Sequence, residues 1–249
     1  MNFKFYTFLG IFFLLFMSTL GCTFVYFLNK KNTIVDKIIM GLSSGIMLSA
    51  SIWSLLLPAL DNGRNFFNVS IVVIGFLLGG LFLLVLDKII KKITKPSVDQ
   101  SSKPRNLFVA MTLHNIPEGL CVGFAFGTAL TLMDKNYLIS AILLAIGIGI
   151  QNFPESIATT LPINQVLNNK NKSFFIGFLS GLVETISCIV GIFLSNSLIS
   201  FMSLLLAFAA GSMLYVIQSE LMSENNSKIS TWSFMFGFIL MTLCDTLLG

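Results

Sequence analysis

The sequence predicts an all-α integral membrane protein of eight transmembrane helices with both termini outside, and three observations carry that prediction. The 249-residue chain is 55% hydrophobic and 10% charged, with 25 phenylalanines and a mean hydropathy of +0.88, too apolar for a water-soluble domain of this length. Its charges gather in short clusters separated by apolar runs of about 20 residues, enough to cross roughly 30 Å of hydrocarbon. The third observation is how lysine and arginine divide between alternate connections, which sets the orientation.

The spans are expected at 3–28, 37–60, 68–87, 106–131, 137–161, 173–195, 198–222 and 231–248, forming one transmembrane domain over 1–249. The first begins MNFKFYTFLGIFFLLFMSTLGC, with the lysine, apolar run and cysteine of a cleaved lipoprotein signal. The run continues through TFVYFL and positive charges follow at Lys30 and Lys31, which reads instead as an uncleaved span with its N-terminus outside. Spans three and four are joined by KIIKKITKPSVDQSSKPR at 88–105, a basic, Ser- and Pro-containing stretch expected as a flexible cytoplasmic loop.

With the N-terminus outside, the inner connections hold Lys30, Lys31, Lys37, Lys88, Lys91, Lys92, Lys95, Lys103, Arg105, Lys170, Lys172 and Lys228, and the outer side holds Lys4, Arg64 and Lys135. Twelve against three is a positive-inside signal that also requires an even number of spans. Cys22, Cys121, Cys188 and Cys244 all fall within spans without metal-type spacing, so they read as packing residues.

Span four contains HNIPEG at 114–119 and span five contains QNFPES at 151–156. His114 and Glu118 are four apart and share a helix face, with Asn115 beside them; Gln151, Asn152, Pro154 and Glu155 repeat the order. Consecutive spans run antiparallel, so the two copies form an inverted pair able to face one another. Pro117 and Pro154 lack an N–H, so the carbonyls of Leu113 and Ile150 lose their helical partners. Nine residues from Arg105, at about 1.5 Å each, put His114 roughly 13 Å into the membrane. Glu184 of span six and Met47 of span two reach similar depth, and Gln151 and Glu155 arrive from the other side.

Three intramembrane glutamates with no Lys or Arg at that depth cost on the order of 2 to 3 kcal/mol each. A bound cation, or protons, would offset that cost. Imidazole, carboxylates, an amide oxygen and a thioether make a borderline donor set suited to zinc and tolerant of other divalent first-row metals, whereas calcium or magnesium would favour oxygen alone. Ser43, Met47, Ser51, Ser54, Pro58 and Asp61 of span two recur at helical spacing toward the outer surface. That stripe reads equally as a packing seam and as a route for the ion through Ser51, Ser54 and Asp61. Glu220 and Asp245, close to span ends, are expected to be solvated or interfacial.

A zinc hydrolase would want HExxH or several histidines, but this chain has one. It also lacks a phosphate-cradling glycine loop, so no enzyme activity and no ATP-driven step is expected. Taken alone, the polar cluster still admits a structural network, a membrane-embedded metal-dependent enzyme, or a proton or organic-cation carrier.

HNIPEG followed by QNFPES, with GLSSGIMLSASIWSLLLPALD in span two, SGLVET in span six, AFAAGSMLYV in span seven and LCDTLLG at the end, resembles the ZIP (Zrt-, Irt-like) divalent metal transporters, especially the GufA-type subgroup. The likeness runs through spans two to eight. It implies an eight-helix fold of the cell membrane that carries zinc, and also iron, manganese, cobalt or cadmium, into the cytoplasm without ATP. Divalent metal is then cargo and no prosthetic group is expected; the partners are metal ions and the bilayer, with no nucleic acid, and a homodimer is compatible. By motif, Met47, His114, Glu118, Gln151 and Glu155 correspond to a primary metal site. Asn115, Asn152 and Glu184 would complete a neighbouring second site. The chain departs from the family pattern at Gln151, where many relatives have histidine, at Ser156 for glycine, at Thr185 for proline and at Ser219 for a carboxylate. It also lacks the His-rich tract often found in the basic loop.

Overall fold

The computed structural model describes residues 2–28, 33–60, 65–94, 103–198, 201–222 and 227–248, and the regular structure over them is helical. In chain order the helices are α1 (Phe3–Phe27), α2 (Thr33–Ala59), α3 (Phe66–Thr94), α4 (Lys103–Leu132), α5 (Lys135–Leu167), α6 (Lys170–Leu198), α7 (Met202–Leu221) and α8 (Lys228–Leu248). Among the described residues seven of them, all but α4, are long and apolar enough to cross a membrane. At 30 residues α4 has the length; it carries His114, Asn115 and Glu118 in its middle, which lowers its apolar character.

Of the loop expected at 88–105, the first part continues α3 to Thr94 and the last three residues begin α4, leaving 95–102 outside the described residues. The sequence supports the earlier start of α4. Pro104 falls in the first turn of α4, where its missing N–H breaks no hydrogen bond.

The connection that matters most is a two-residue link. Only Met133 and Asp134 separate α4 from α5, which obliges the two helices to run antiparallel as neighbours. Met133 takes a left-handed conformation (φ 52°) and its amide donates to the Ala129 carbonyl at 3.0 Å, while Asp134 caps α5 by accepting from the Asn136 amide at 2.7 Å. The next link is similar: Asn168 (φ 47°) ends α5 in the left-handed region that asparagine tolerates, its amide donating to the Asn164 carbonyl at 2.8 Å.

The helices pack most extensively in pairs: α4 with α6, α2 with α8, α1 with α5 and α3 with α7. Within pairs the approach is backbone to backbone. A Cβ on Gly79 of α3 would strike the Phe208 carbonyl of α7, and one on Gly211 would strike the Phe76 carbonyl in return; glycine is required by contact there, with no flexible side chain to move aside. Further contacts join α1, α4, α5 and α6 into one group, and α2 and α7 meet through the π-helical stretch Ser51–Leu56 of α2. Outward-facing side chains are apolar, including Phe66, Phe193, Trp232 and Leu247, while buried positions hold His114, Glu118, Glu155 and Glu184. That polarity is the reverse of a water-soluble protein and matches a lipid solvent.

Neighbouring glycines on α3 provide a test of this packing. A Cβ at Gly80 meets nothing closer than the Gly211 carbonyl at 3.7 Å, whereas one at Gly79 meets backbone. Gly79→Ala should lower the stability of the detergent-solubilised protein, read from thermal melts, by about 1–3 kcal/mol. Gly80→Ala should leave it unchanged or raised by up to about 1 kcal/mol through helix propensity.

Candidate metal centre

The turn at Met133–Asp134 folds the two copies of the polar motif against each other near the middle of α4 and α5. From α4, His114 and Glu118 are fully buried and Asn115 is nearly so; from α5, Gln151, Asn152 and Glu155 are buried; from α6, Glu184 is buried. The buried polar groups among the described residues include no lysine or arginine. His114 Nε2 lies 2.9 Å from Glu155 Oε1 and 4.0 Å from Glu118 Oε1. Donor atoms of these three residues all fall within 4.8 Å of one another, close enough to share one ion.

Two amide side chains each bind one carboxylate oxygen. Gln151 Nε2 donates to Glu118 Oε1 at 2.8 Å, and Asn152 Nδ2 donates to Glu184 Oε2 at 2.6 Å. Asn115 turns its Nδ2 away from the centre, toward the Ser180 carbonyl (3.1 Å) and hydroxyl (3.3 Å), and the Ser180 hydroxyl also pairs with Thr112 at 2.9 Å. Every amide nitrogen is therefore engaged. The complementary oxygens are not: Asn115 Oδ1, Gln151 Oε1, Asn152 Oδ1, Glu118 Oε2, Glu155 Oε2 and Glu184 Oε1 are buried without a hydrogen-bond partner. Buried acceptors left unsatisfied are costly, and those of Glu118 and Glu155, beside the His114 imidazole, are ones that a cation would satisfy.

Pro117 and Pro154 lie inside continuous helices. Each removes the amide that would have bonded the carbonyl four residues earlier, at Leu113 and Ile150. Met47 is fully buried on α2 and its thioether accepts from the Ser43 hydroxyl at 4.0 Å. Hydrogen bonding does not tie it to the centre as it ties Gln151, Asn152 and Glu184.

The expected outer stripe is only partly realised. Ser54 lines a cavity and donates to Asp245 Oδ1 at 2.8 Å, but the Ser51 hydroxyl bonds back to the Leu48 carbonyl at 2.8 Å; Asp61 lies outside the described residues. Ser51 opens the π-helical stretch Ser51–Leu56, whose wider turn rotates the residues beyond it, Ser54 included, by about one residue relative to an α-helix. Asp245 also differs from expectation. Rather than standing solvated at a helix end, it is half-buried against Ser54, with Oδ2 buried and unpartnered.

The serine at position 156 has a steric explanation. In the first copy the residue after the glutamate is Gly119, where a Cβ would strike the Glu184 carbonyl of α6. In the second copy Ser156 faces α1, and the glycine sits on the partner helix: a Cβ on Gly21 would strike the Phe153 carbonyl and stand 2.8 Å from Ser156 Cβ. The Ser156 hydroxyl pairs with Ser18 at 2.9 Å. Ser18, Ser180 and Thr112 escaped the sequence reading. Ser180 had a usable signal, since it lies four residues before Glu184 and so on the same helix face.

A family model described as ZIP Zinc transporter matches residues 105–245. Zinc transporter GufA of Myxococcus xanthus is 32% identical, with 84% of this chain and 86% of that protein covered. Zinc transporter ZIP11 of Homo sapiens is 29% identical over 97% of this chain and 96% of its own length, and Zinc transporter ZIPB of Bordetella bronchiseptica is 28% identical over 93% and 78%.

Removing one carboxylate should separate the cost of the centre from its use. Glu118→Gln is expected to raise the melting temperature of metal-free protein, because one buried acidic group is replaced by a neutral one of the same shape. The same variant should bind zinc at least about tenfold more weakly, having lost a charged ligand. Thermal melts with and without zinc check both.

Proposed function

As this chain belongs to the ZIP zinc transporter family, we propose that it moves divalent metal, zinc foremost and iron, manganese, cobalt or cadmium in addition, across the cell membrane into the cytoplasm. The observation that carries the reading is the buried convergence of His114, Glu118 and Glu155. In this reading the chain is one domain crossing the bilayer eight times, α4 being the additional span, with both termini outside and 88–105 on the cytoplasmic side. The excess of lysine and arginine in alternate connections supports that orientation.

Metal sheds water at the centre and is held by His114, Glu118, Glu155, the Gln151 carbonyl oxygen and the Met47 thioether. Asn115, Asn152 and Glu184 supply a second, oxygen-rich position that shares the two central glutamates. Neutralising the carboxylates lowers the cost of burying them, so the loaded centre is the one that can change its surroundings. The packing supplies a means: α1, α4, α5 and α6 carry the polar centre as one group and can shift against the helices bearing Met47. No bond is made or broken and no nucleotide is needed. Gln151, where relatives often have histidine, gives weaker zinc ligation and broader metal choice.

Zinc entering proteoliposomes that enclose a zinc-sensitive dye tests the reading. Uptake should saturate, compete with cadmium or cobalt, and fall to the level of empty vesicles in the Glu118→Ala/Glu155→Ala double variant. Uptake should also fall as pH is lowered, since protons compete with metal for imidazole and carboxylates. Equal uptake by the double variant would remove the assignment.

A further inference from the structure

Outward of the metal centre lies a cavity of about 760 Å³ enclosed by parts of α2, α4, α5, α7 and α8. Its volume is that of a site for a small organic molecule and greatly exceeds what one hydrated metal ion needs. Its lining includes one carboxylate, Asp245, and no lysine, arginine or histidine among the described residues. Two aromatic rings, Trp53 and Tyr137, share the cavity with it, and most of the remaining wall is apolar.

Two polar atoms in this wall have no partner: Asp245 Oδ2 and the hydroxyl of Thr128, a residue only 3% exposed. The other Asp245 oxygen is fixed by Ser54 at 2.8 Å, which holds the carboxylate in place. Gly147 at the cavity floor leaves room for that pair, since a Cβ there would stand 2.9 Å from Ser54 Oγ and 3.3 Å from Asp245 Oδ1. Asp245 is the one charged group in a lining whose other oxygens are the neutral hydroxyls of Ser54, Thr128, Tyr137, Ser140, Ser203 and Thr246, so it supplies a single negative charge where a dehydrated hard divalent ion is usually met by several carboxylates and carbonyls. It suits a large, weakly hydrated monocation, whose apolar body fills the cavity and whose charge rests against a carboxylate and aromatic faces.

We propose that this vestibule binds amphipathic organic monocations of the aryl-alkyl quaternary ammonium class, and that an occupant blocks the approach of metal to the centre. Ile150, which lines the cavity, directly precedes Gln151 of the metal centre on α5, so the cavity and the centre share a turn of that helix. Binding is independent of the transport reading; only the blocking effect uses it.

The probe is benzyltrimethylammonium, titrated calorimetrically into the full-length protein in nanodiscs, with benzyl alcohol and benzenesulfonate as uncharged and anionic comparators. Saturable binding of the cation alone is expected, weakened by about tenfold in Asp245→Asn and also in Trp53→Leu, as loss of an ionic or cation–π contact implies. In proteoliposomes the cation should slow zinc uptake competitively. Equal binding of benzyl alcohol, undiminished affinity in Asp245→Asn, or no heat of binding would overturn the proposal. If Asp245→Asn does not fold, Trp53→Leu and Thr128→Val carry the test, and full affinity in both would overturn it equally. Cation binding without any zinc uptake would instead count against the transport reading while leaving this one standing.

Discussion

Three glutamates, Glu118, Glu155 and Glu184, are buried around one imidazole with no lysine or arginine among the buried groups described. In a lipid-facing protein that arrangement is a charge deficit, and the local structure is organised around it. The amide nitrogens of Gln151 and Asn152 are spent on two carboxylate oxygens. That of Asn115 is drawn off to Ser180. What remains facing inward is nearly all acceptor: carboxylate and amide oxygens with no donor in reach. The protein has thereby built a place whose stability is poor when empty and improves with a cation, which is the thermodynamic requirement for binding and releasing one.

The surrounding architecture holds this deficit in register. A two-residue turn brings the motif copies face to face, and glycine contacts fix each motif helix to its own partner, Gly119 against α6 and Gly21 of α1 against the second copy. The two copies solve the same steric problem from opposite sides of the contact. Serine is acceptable after Glu155 because α1 yields the space that α6 does not yield after Glu118. The departure at Ser156 thus concerns the α1 to α5 seam, and it adds a hydrogen bond to Ser18.

Much of this was legible in the sequence because membranes make it so. Apolar runs of the right length, and polar residues at four-residue spacing in apolar surroundings, each have few alternative explanations in a bilayer. His114, Glu118, Gln151 and Glu155 were singled out on that basis and lie together in the structure. What escaped depends on backbone departures or distant contacts. The π-helical stretch Ser51–Leu56 of α2 shifts the register of the residues beyond it, Ser54 on the cavity wall included, and spacing rules that assume 3.6 residues per turn cannot register such a shift. Asp245 looked terminal because it is near the chain end, yet its partner Ser54 is 191 positions away. Helix continuation into 88–94 was obscured by lysines that read as loop when charge alone is counted.

The central claim is that the buried histidine and carboxylates hold the ion jointly. Zinc K-edge X-ray absorption on the zinc-loaded protein tests it most directly. The account predicts a mixed nitrogen and oxygen shell at about 2.0–2.2 Å containing the scattering signature of a single imidazole, which disappears in His114→Ala while carboxylate oxygens remain. A shell without imidazole, or one dominated by cysteine sulfur at about 2.3 Å, would place the metal elsewhere and contradict the account.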